Sequence, residues 1–194
     1  MPTTDSGESH AARLQRYRAM ADPNRLAVLE ALRIRGELTT SEFGRLLPHA
    51  RGSMRHHLKV LEDAGLIASS GTSSWVEAST GALMTSTSPA SEDSEEATVM
   101  RLLDFIVKHR RIGRIERWER ERKDGRWPGW AENDLGRDYV VKFTLDELTA
   151  LDEDLDRVVV SHREQAATRQ RERGTEGEEI VFLTLLGFPF TLGE

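Results

Sequence analysis

Basic and hydroxyl side chains cluster in a short segment near residue 55. Arg51, Ser53, Arg55 and His56 lie within six residues of one another, and Lys59 follows three residues later. An arginine can donate two parallel hydrogen bonds to guanine in the major groove, whereas a lysine suits a phosphate. These residue types therefore predict contacts with DNA: base contacts by Arg51, Ser53 and Arg55, and a phosphate contact by Lys59. His56 is either a further DNA contact or an idle surface imidazole.

The sequence gives no support for catalytic or metal chemistry. There is no cysteine, which excludes disulfides, thiolate metal ligands and cysteine nucleophiles. Asp104 and His109 are five residues apart and fall on different faces of a helix, so we expect no metal site. A Gly-rich phosphate loop and a nucleophile elbow are also missing. We therefore expect no cofactor and no enzymatic activity.

A helix over residues 51–64 would hold the basic side chains on one face. Its apolar positions recur at i, i+3, i+4 and i+7, which predicts one buried stripe, formed by Met54, His57, Leu58 and Leu61. On this stripe His57 is expected to be a core histidine. The opposite face carries the polar residues, and Gly65 ends the helix.

Three further helices are predicted before this one. The first covers residues 10–20. Asp22 can cap the second, and Pro23 suits its first turn because no hydrogen bond is lost there. Thr40 or Ser41 can cap the third, which ends before Pro48, and both hydroxyls are candidate DNA contacts.

A β-hairpin is predicted after the basic helix. Residues 66–70 and 74–78 flank a three-residue loop of hairpin length, and a third strand is predicted at Ala82–Met84. Residues 68–87 contain no lysine or arginine. Contacts of this hairpin with DNA would therefore be neutral hydrogen bonds with a shallow salt dependence.

Helices followed by a hairpin are the arrangement of a winged helix-turn-helix, and two stretches of the sequence resemble arsenic-repressor-type (ArsR) regulators. Tyr17–Leu26 is similar to their opening, and Arg55–Ile67 is similar to their recognition helix running into the first wing strand. Unlike the family pattern, Ala50 replaces a capping Ser or Asn and Gly52 lies in the first turn, so this helix end is expected to be less rigid.

The resemblance implies a DNA-binding domain at residues 10–87 whose recognition helix enters the major groove. It also implies a transcriptional regulator, a repressor, that binds a roughly palindromic operator as a homodimer. No run of apolar residues approaches the roughly 20 that a membrane span requires, and the first ten residues lack the apolar core of a secretory signal. A cytoplasmic protein without a membrane partner is therefore expected.

A second basic block follows, although the formal net charge of the chain is -6. A long helix is predicted over residues 92–126, and the second basic block is its part from Lys108 to Arg126. We expect its apolar face to pair two subunits, with its arginines beside DNA or the partner; the predicted dimerisation residues are Leu14, Tyr17, Leu102, Phe105 and Ile106. The alternative is a long solvated dimer helix whose charges form internal pairs, Glu116 with Arg120 and Glu119 with Lys123.

Residues 127–194 are predicted to form a small α/β unit for dimerisation or ligand sensing. Two strands, Tyr139–Phe143 and Ile180–Leu186, flank a helix that begins at the capping box of Thr144 and Glu147. The apolar second strand is expected to be buried on both faces, and residues 163–179 to be mobile. By its pattern this unit resembles the C-terminal extension of actinobacterial regulators of this type.

A small-molecule effector is a further candidate partner. Trp118, Trp127 and Trp130 are the residues that could line its pocket, although aromatic residues beside a helix end are more often part of a core.

The sequence thus predicts a mainly α protein with a small β component: an N-terminal winged helix-turn-helix, a long linking helix and a small α/β unit. Its expected function is sequence-specific binding of double-stranded DNA by a homodimeric regulator. The alternative is a winged-helix protein-interaction module without specific DNA binding, which the uncharged wing and the net acidity favour.

Overall fold

The computed structural model describes residues 9–71, 73–78, 94–132, 136–189 and 191. Its fold is mainly helical with a small antiparallel sheet, which confirms the predicted class. The helices are α1 (His10–Met20), α2 (Pro23–Arg35), α3 (Thr40–Leu46), a 3-10 helix (Pro48–Ser53), α4 (Met54–Asp63), α5 (Glu95–Lys123) and α6 (Leu145–Arg173). The strands are β1 (Leu38–Thr39), β2 (Ile67–Ser70) and β3 (Ser74–Glu77). The chain divides into two compact units, residues 1–120 and 121–194.

The start of α2 is capped as predicted, whereas the start of α3 is not. Asp22 accepts hydrogen bonds from the backbone N–H groups of Asn24 and Arg25. The cap of α3 is Thr39: its hydroxyl accepts a hydrogen bond from the Glu42 N–H, and the Glu42 carboxylate accepts one from the Thr39 N–H at 2.7 Å. Neither Thr40 nor Ser41 has a carboxylate three residues later, so neither can form this reciprocal pair.

The basic segment is not one helix over residues 51–64. A 3-10 helix covers Pro48–Ser53, and α4 begins only at Met54. Ser53 makes no capping hydrogen bond to the backbone N–H groups of α4, and Gly52 is a weak helix former. Arg51 and Ser53 therefore precede α4 rather than lying within it.

The sheet has the order β1-β3-β2 with antiparallel pairing throughout. β2 and β3 form the predicted hairpin, with Ile67 opposite Glu77 and Ser70 opposite Ser74. β1 pairs Leu38 with Trp75 and was not predicted, because two residues are too few to show a strand pattern. The third strand predicted at Ala82–Met84 lies outside the described residues.

The core of the first unit joins α1 to α5 through one apolar cluster. Phe43 from α3, Leu29 from α2 and Leu58 from α4 are buried at its centre. Leu103 of α5 is buried in the same cluster, and Ile106 packs against it. The long helix is therefore docked on the helix-turn-helix elements along its first half.

The two predicted C-terminal strands are wrong. Tyr139–Phe143 and residues 180–186 have no regular secondary structure, and Ile180 and Leu186 are 66% and 63% exposed rather than buried. A strand needs a neighbour for its backbone hydrogen bonds, and no such neighbour is present among the described residues. The helix between them is also longer than predicted: α6 continues to Arg173, into the segment that was expected to be mobile, and Gly174 ends it with a positive φ.

Candidate nucleic-acid interface

α4 separates an apolar face from a polar face as the sequence predicts. Met54, His57, Leu58 and Leu61 are buried. Arg55, His56 and Lys59 are exposed on the other side of the helix. Burial of the first set fixes the helix on the core, and this leaves the second set facing outward.

Arg55 is the most available of the predicted base contacts. Its side chain is exposed and has no hydrogen bond or ion pair with any residue that the structure describes. His56, also exposed, lies next to the buried His57, with 5.9 Å between the ring centroids. Neither side chain would have to break an internal ion pair to reach a base edge.

Lys59 is tied to its own helix. Its Nζ lies 2.6 Å from Oδ1 of Asp63 and 3.7 Å from Oε2 of Glu62. The hydrogen bond that Lys59 donates to Asp63 is the main reason why the pKa of Lys59 is raised. A phosphate contact by Lys59 therefore competes with two local carboxylates.

Arg51 and Ser53, both in the 3-10 helix, each donate a side-chain hydrogen bond to a main-chain carbonyl. The Nε of Arg51 donates to the carbonyl of Gly44 at 3.2 Å, which joins the 3-10 helix to α3. The hydroxyl of Ser53 donates to the carbonyl of Ala50 at 3.3 Å and lies 3.0 Å from Nε2 of His57. Both residues remain exposed beside the start of α4.

His57 has the predicted core position but is only partly hydrogen-bonded. Its Nδ1 is buried without a hydrogen bond and lies 4.0 Å from Oδ1 of Asp22. Burial lowers the pKa of His57; Asp22 opposes this effect, whereas Arg25 and His56 reinforce it. The neutral form is therefore favoured inside the domain.

Thr40 and Ser41 have different surroundings. Thr40 is half-buried and accepts a hydrogen bond from the indole N–H of Trp75 at 3.3 Å, which connects α3 to the hairpin. Ser41 is exposed. Arg45 is exposed four residues later on the same short helix and was missed; its i+4 spacing from Ser41 was the available signal.

The hairpin brings no positive charge to this surface within residues 67–71 and 73–78. Its one acidic side chain in β3, Glu77, is bound at 2.6 Å by Arg33 of α2. The described part of the wing is therefore close to neutral, as the sequence indicated.

Comparison with known proteins agrees with this geometry. Residues 20–70 match a family model described as a helix-turn-helix domain. The matched segment is about a quarter of the chain. It contains α2, α3 and α4 and ends in β2. No curated protein and no solved structure shows significant similarity to the chain.

Ion pairs fix α5 to the helix-turn-helix domain. Arg114 lies 2.6 Å from a carboxylate oxygen of Glu30 in α2, and Arg110 pairs with the same carboxylate. Near the start of α5, Glu96 is bound by Arg13 of α1 at 2.8 Å. Two arginines of the second basic block are therefore engaged within the subunit rather than directed toward DNA or a partner.

The predicted dimerisation residues fall into two groups. Leu102 and Phe105 are exposed on α5. Ile106 and Tyr17 instead pack against the core of their own unit, and Leu14 is half-buried on α1. Leu102 and Phe105 are thus the residues of this set that are best placed to meet another chain.

The three tryptophans are distributed over both units. Trp118 is half-buried on α5 in the first unit. In the second unit, Trp127 donates to Oε2 of Glu121 at 2.9 Å and Trp130 is exposed. An effector pocket formed by the three remains a prediction.

The described residues contain no group of three or more His, Asp or Glu side chains arranged to hold a metal ion. No described helix has both the length and the apolar character of a membrane span.

Proposed function

We propose that this protein is a homodimeric transcriptional regulator, a repressor, that binds DNA sequence-specifically through residues 51–64. The observation that carries the proposal is the docking of α4: its apolar stripe is buried in a helix-turn-helix domain, and Arg55 and His56 face outward. A helix held in this way can enter the major groove and present donors to base edges. The DNA-binding domain extends over residues 10–87 in this proposal.

The exposed side chains suggest a division of roles. Arg55 and His56 read bases, and Arg51 and Ser53 act at the edge of the groove from the 3-10 helix. Ser41 and Arg45, which are both exposed on α3, contact the phosphate backbone of the DNA. Lys59 adds a phosphate contact only when Asp63 releases it.

The proposed dimer contact lies on α5. Leu102, Phe105, His109 and Ile112 are all exposed and recur at intervals of three, four and three residues, the spacing of a coiled-coil seam. The rings of Phe105 and His109 are 4.0 Å apart between centroids, which adds to one continuous patch. Twofold symmetry then predicts a roughly palindromic operator whose half-sites lie about one helical turn apart.

The test is selection of bound duplexes from a random pool by the full chain, followed by titration of the selected site and of a random duplex. Arg55→Ala should weaken binding to the selected site roughly 5- to 150-fold, because one good arginine–guanine pair contributes about 1–3 kcal/mol of discrimination. Arg35→Ala, an exposed arginine of α2, is the matched control and should change little.

Equal losses on the selected and the random duplex would make Arg55 a phosphate contact. A second candidate function, a protein-interaction module, is favoured by the neutral wing. In that case the full chain should bind neither duplex even at low salt, where attraction to phosphates is strongest.

A further inference from the structure

The second unit lacks a core of its own among the residues that the structure describes. α6 has 29 residues and none is buried. Apolar residues on both sides of it, from Tyr139 to Phe143 and from Ile180 to Phe188, include many that are exposed. A surface of this kind is characteristic of a site that another macromolecule covers.

α6 carries an apolar stripe that is still accessible. Leu151, Leu155, Val158 and His162 follow one another at i, i+4, i+7 and i+11, so they share one face of the helix. Leu151 and Val158 are 38% and 54% exposed. The C-terminal segment contacts α6 near both ends: Gly187 lies beside Leu148, and Glu178 accepts hydrogen bonds from Arg169 and Gln170. Leu151 and Val158 stay exposed between these two contacts.

The charge of α6 reverses at the middle of the stripe. Residues 145–156 carry six acidic side chains and no basic one, whereas residues 157–173 carry five arginines and two glutamates. A helix dipole explains opposite charges only in the first and last turns. Asp152 and Asp154 lie beyond the first turn: Asp154 forms an ion pair with Arg157 of the same helix, whereas Asp152 needs another explanation.

We infer that α6 packs antiparallel against α6 of a second copy of this chain, with the twofold axis between residues 156 and 157. Leu155 then lies opposite Val158 of the partner subunit, and the acidic half of each helix lies beside the basic half of the other. A parallel pair would place Asp152 and Asp154 against their own copies, which like-charge repulsion disfavours. This contact rests on the homodimer proposed above and adds an interface to the one on α5.

Thiol cross-linking in the full chain tests the orientation, because the natural sequence has no cysteine and each introduced thiol is unique. In the antiparallel pair, residue 151 lies opposite residue 162 of the other copy, but about 17 Å along the axis from its own equivalent. A mixture of Leu151→Cys and His162→Cys chains should therefore give a mixed cross-linked dimer with a short bifunctional maleimide, and Leu151→Cys alone should not.

A pair of charge reversals provides the matched control. Arg163 and Arg171 are both exposed on α6, but only Arg163 lies within the segment paired with the acidic half of the partner. Arg163→Glu should weaken self-association about five- to tenfold, as measured by sedimentation, and Arg171→Glu should leave it nearly unchanged.

Cross-linking of Leu151→Cys with itself, no cross-link in any combination, or equal effects of the two charge reversals would overturn the inference. DNA binding by the same variants separates this result from the proposed function. Binding without the mixed cross-link would refute the α6 contact alone. The mixed cross-link without DNA binding would refute the regulator and leave the contact standing.

Discussion

Two neighbouring leucines on α5 should differ sharply in their contribution to stability. Leu103 is 1% exposed and belongs to the core of the first unit, whereas Leu102 is 50% exposed. Replacement of either by alanine removes about three carbon atoms of the side chain. The orientation of α5 therefore predicts which replacement is costly.

The magnitudes follow from burial. At about 0.8 kcal/mol per buried methylene, the Leu103→Ala change loses about 2.4 kcal/mol of transfer free energy, and the cavity raises the cost to about 3–4 kcal/mol. Leu102→Ala loses about half of the transfer term and leaves no cavity, which gives about 1 kcal/mol. The two variants should thus differ by at least about 2 kcal/mol.

Urea unfolding followed by far-ultraviolet circular dichroism measures both values. The titrations should be repeated at several protein concentrations, because Leu102 lies in the proposed dimer seam and its loss would also weaken association. Similar destabilisation by the two changes at low concentration, or a greater loss from Leu102→Ala, would refute the docking of α5 through Leu103.

Three further predictions concern the helix-turn-helix domain. Glu30→Gln removes the carboxylate that two arginines of α5 share, and should lower the free energy of unfolding by about 1–2 kcal/mol in the same assay. An unchanged free energy of unfolding would argue against these ion pairs. Thr39→Ala should cost about 1 kcal/mol because it removes the cap of α3, whereas replacement of the exposed Ser41 by alanine should change little; the reverse order would contradict the capping box. The pKa of His57 is lowered in the folded state, so the unfolded chain takes up the proton first as the pH falls below about 6.5. The stability of the natural protein should therefore fall more steeply between pH 7 and pH 5 than that of His57→Gln, and parallel curves would show that His57 contributes nothing.

The parts of the fold that depend on nearby residues were predictable. Asp22 before Pro23 defines the start of α2, since a cap and a proline act within one turn. The spacing of Met54, Leu58 and Leu61 identified the buried face of α4, and with it the outward direction of Arg55. The hairpin followed from a loop of suitable length between two short strand-forming segments.

The wrong predictions at the starts of α3 and α4 arose where local signals competed. Three adjacent hydroxyl residues, Thr39, Thr40 and Ser41, could each cap α3, and the choice depended on the carboxylate of Glu42. Ala50 lies four residues before Met54 and so extends the apolar spacing of α4, but Pro48 and Gly52 favour a 3-10 turn there. The predicted readers Arg51 and Ser53 consequently lie outside the α-helix.

The sequence by itself determined the helix-turn-helix elements and the outward face of α4, because caps, turns and the 3.6-residue period act over a few residues. The tertiary structure decided which side of α5 is buried and that Arg110 and Arg114 bind Glu30, more than 80 residues away in the case of Arg114. It also decided that Ile180–Leu186, although apolar enough for a buried strand, has no neighbouring strand in the described chain. Strand pairing and ion pairs between distant segments depend on where the rest of the chain lies, and a local pattern carries no information about that.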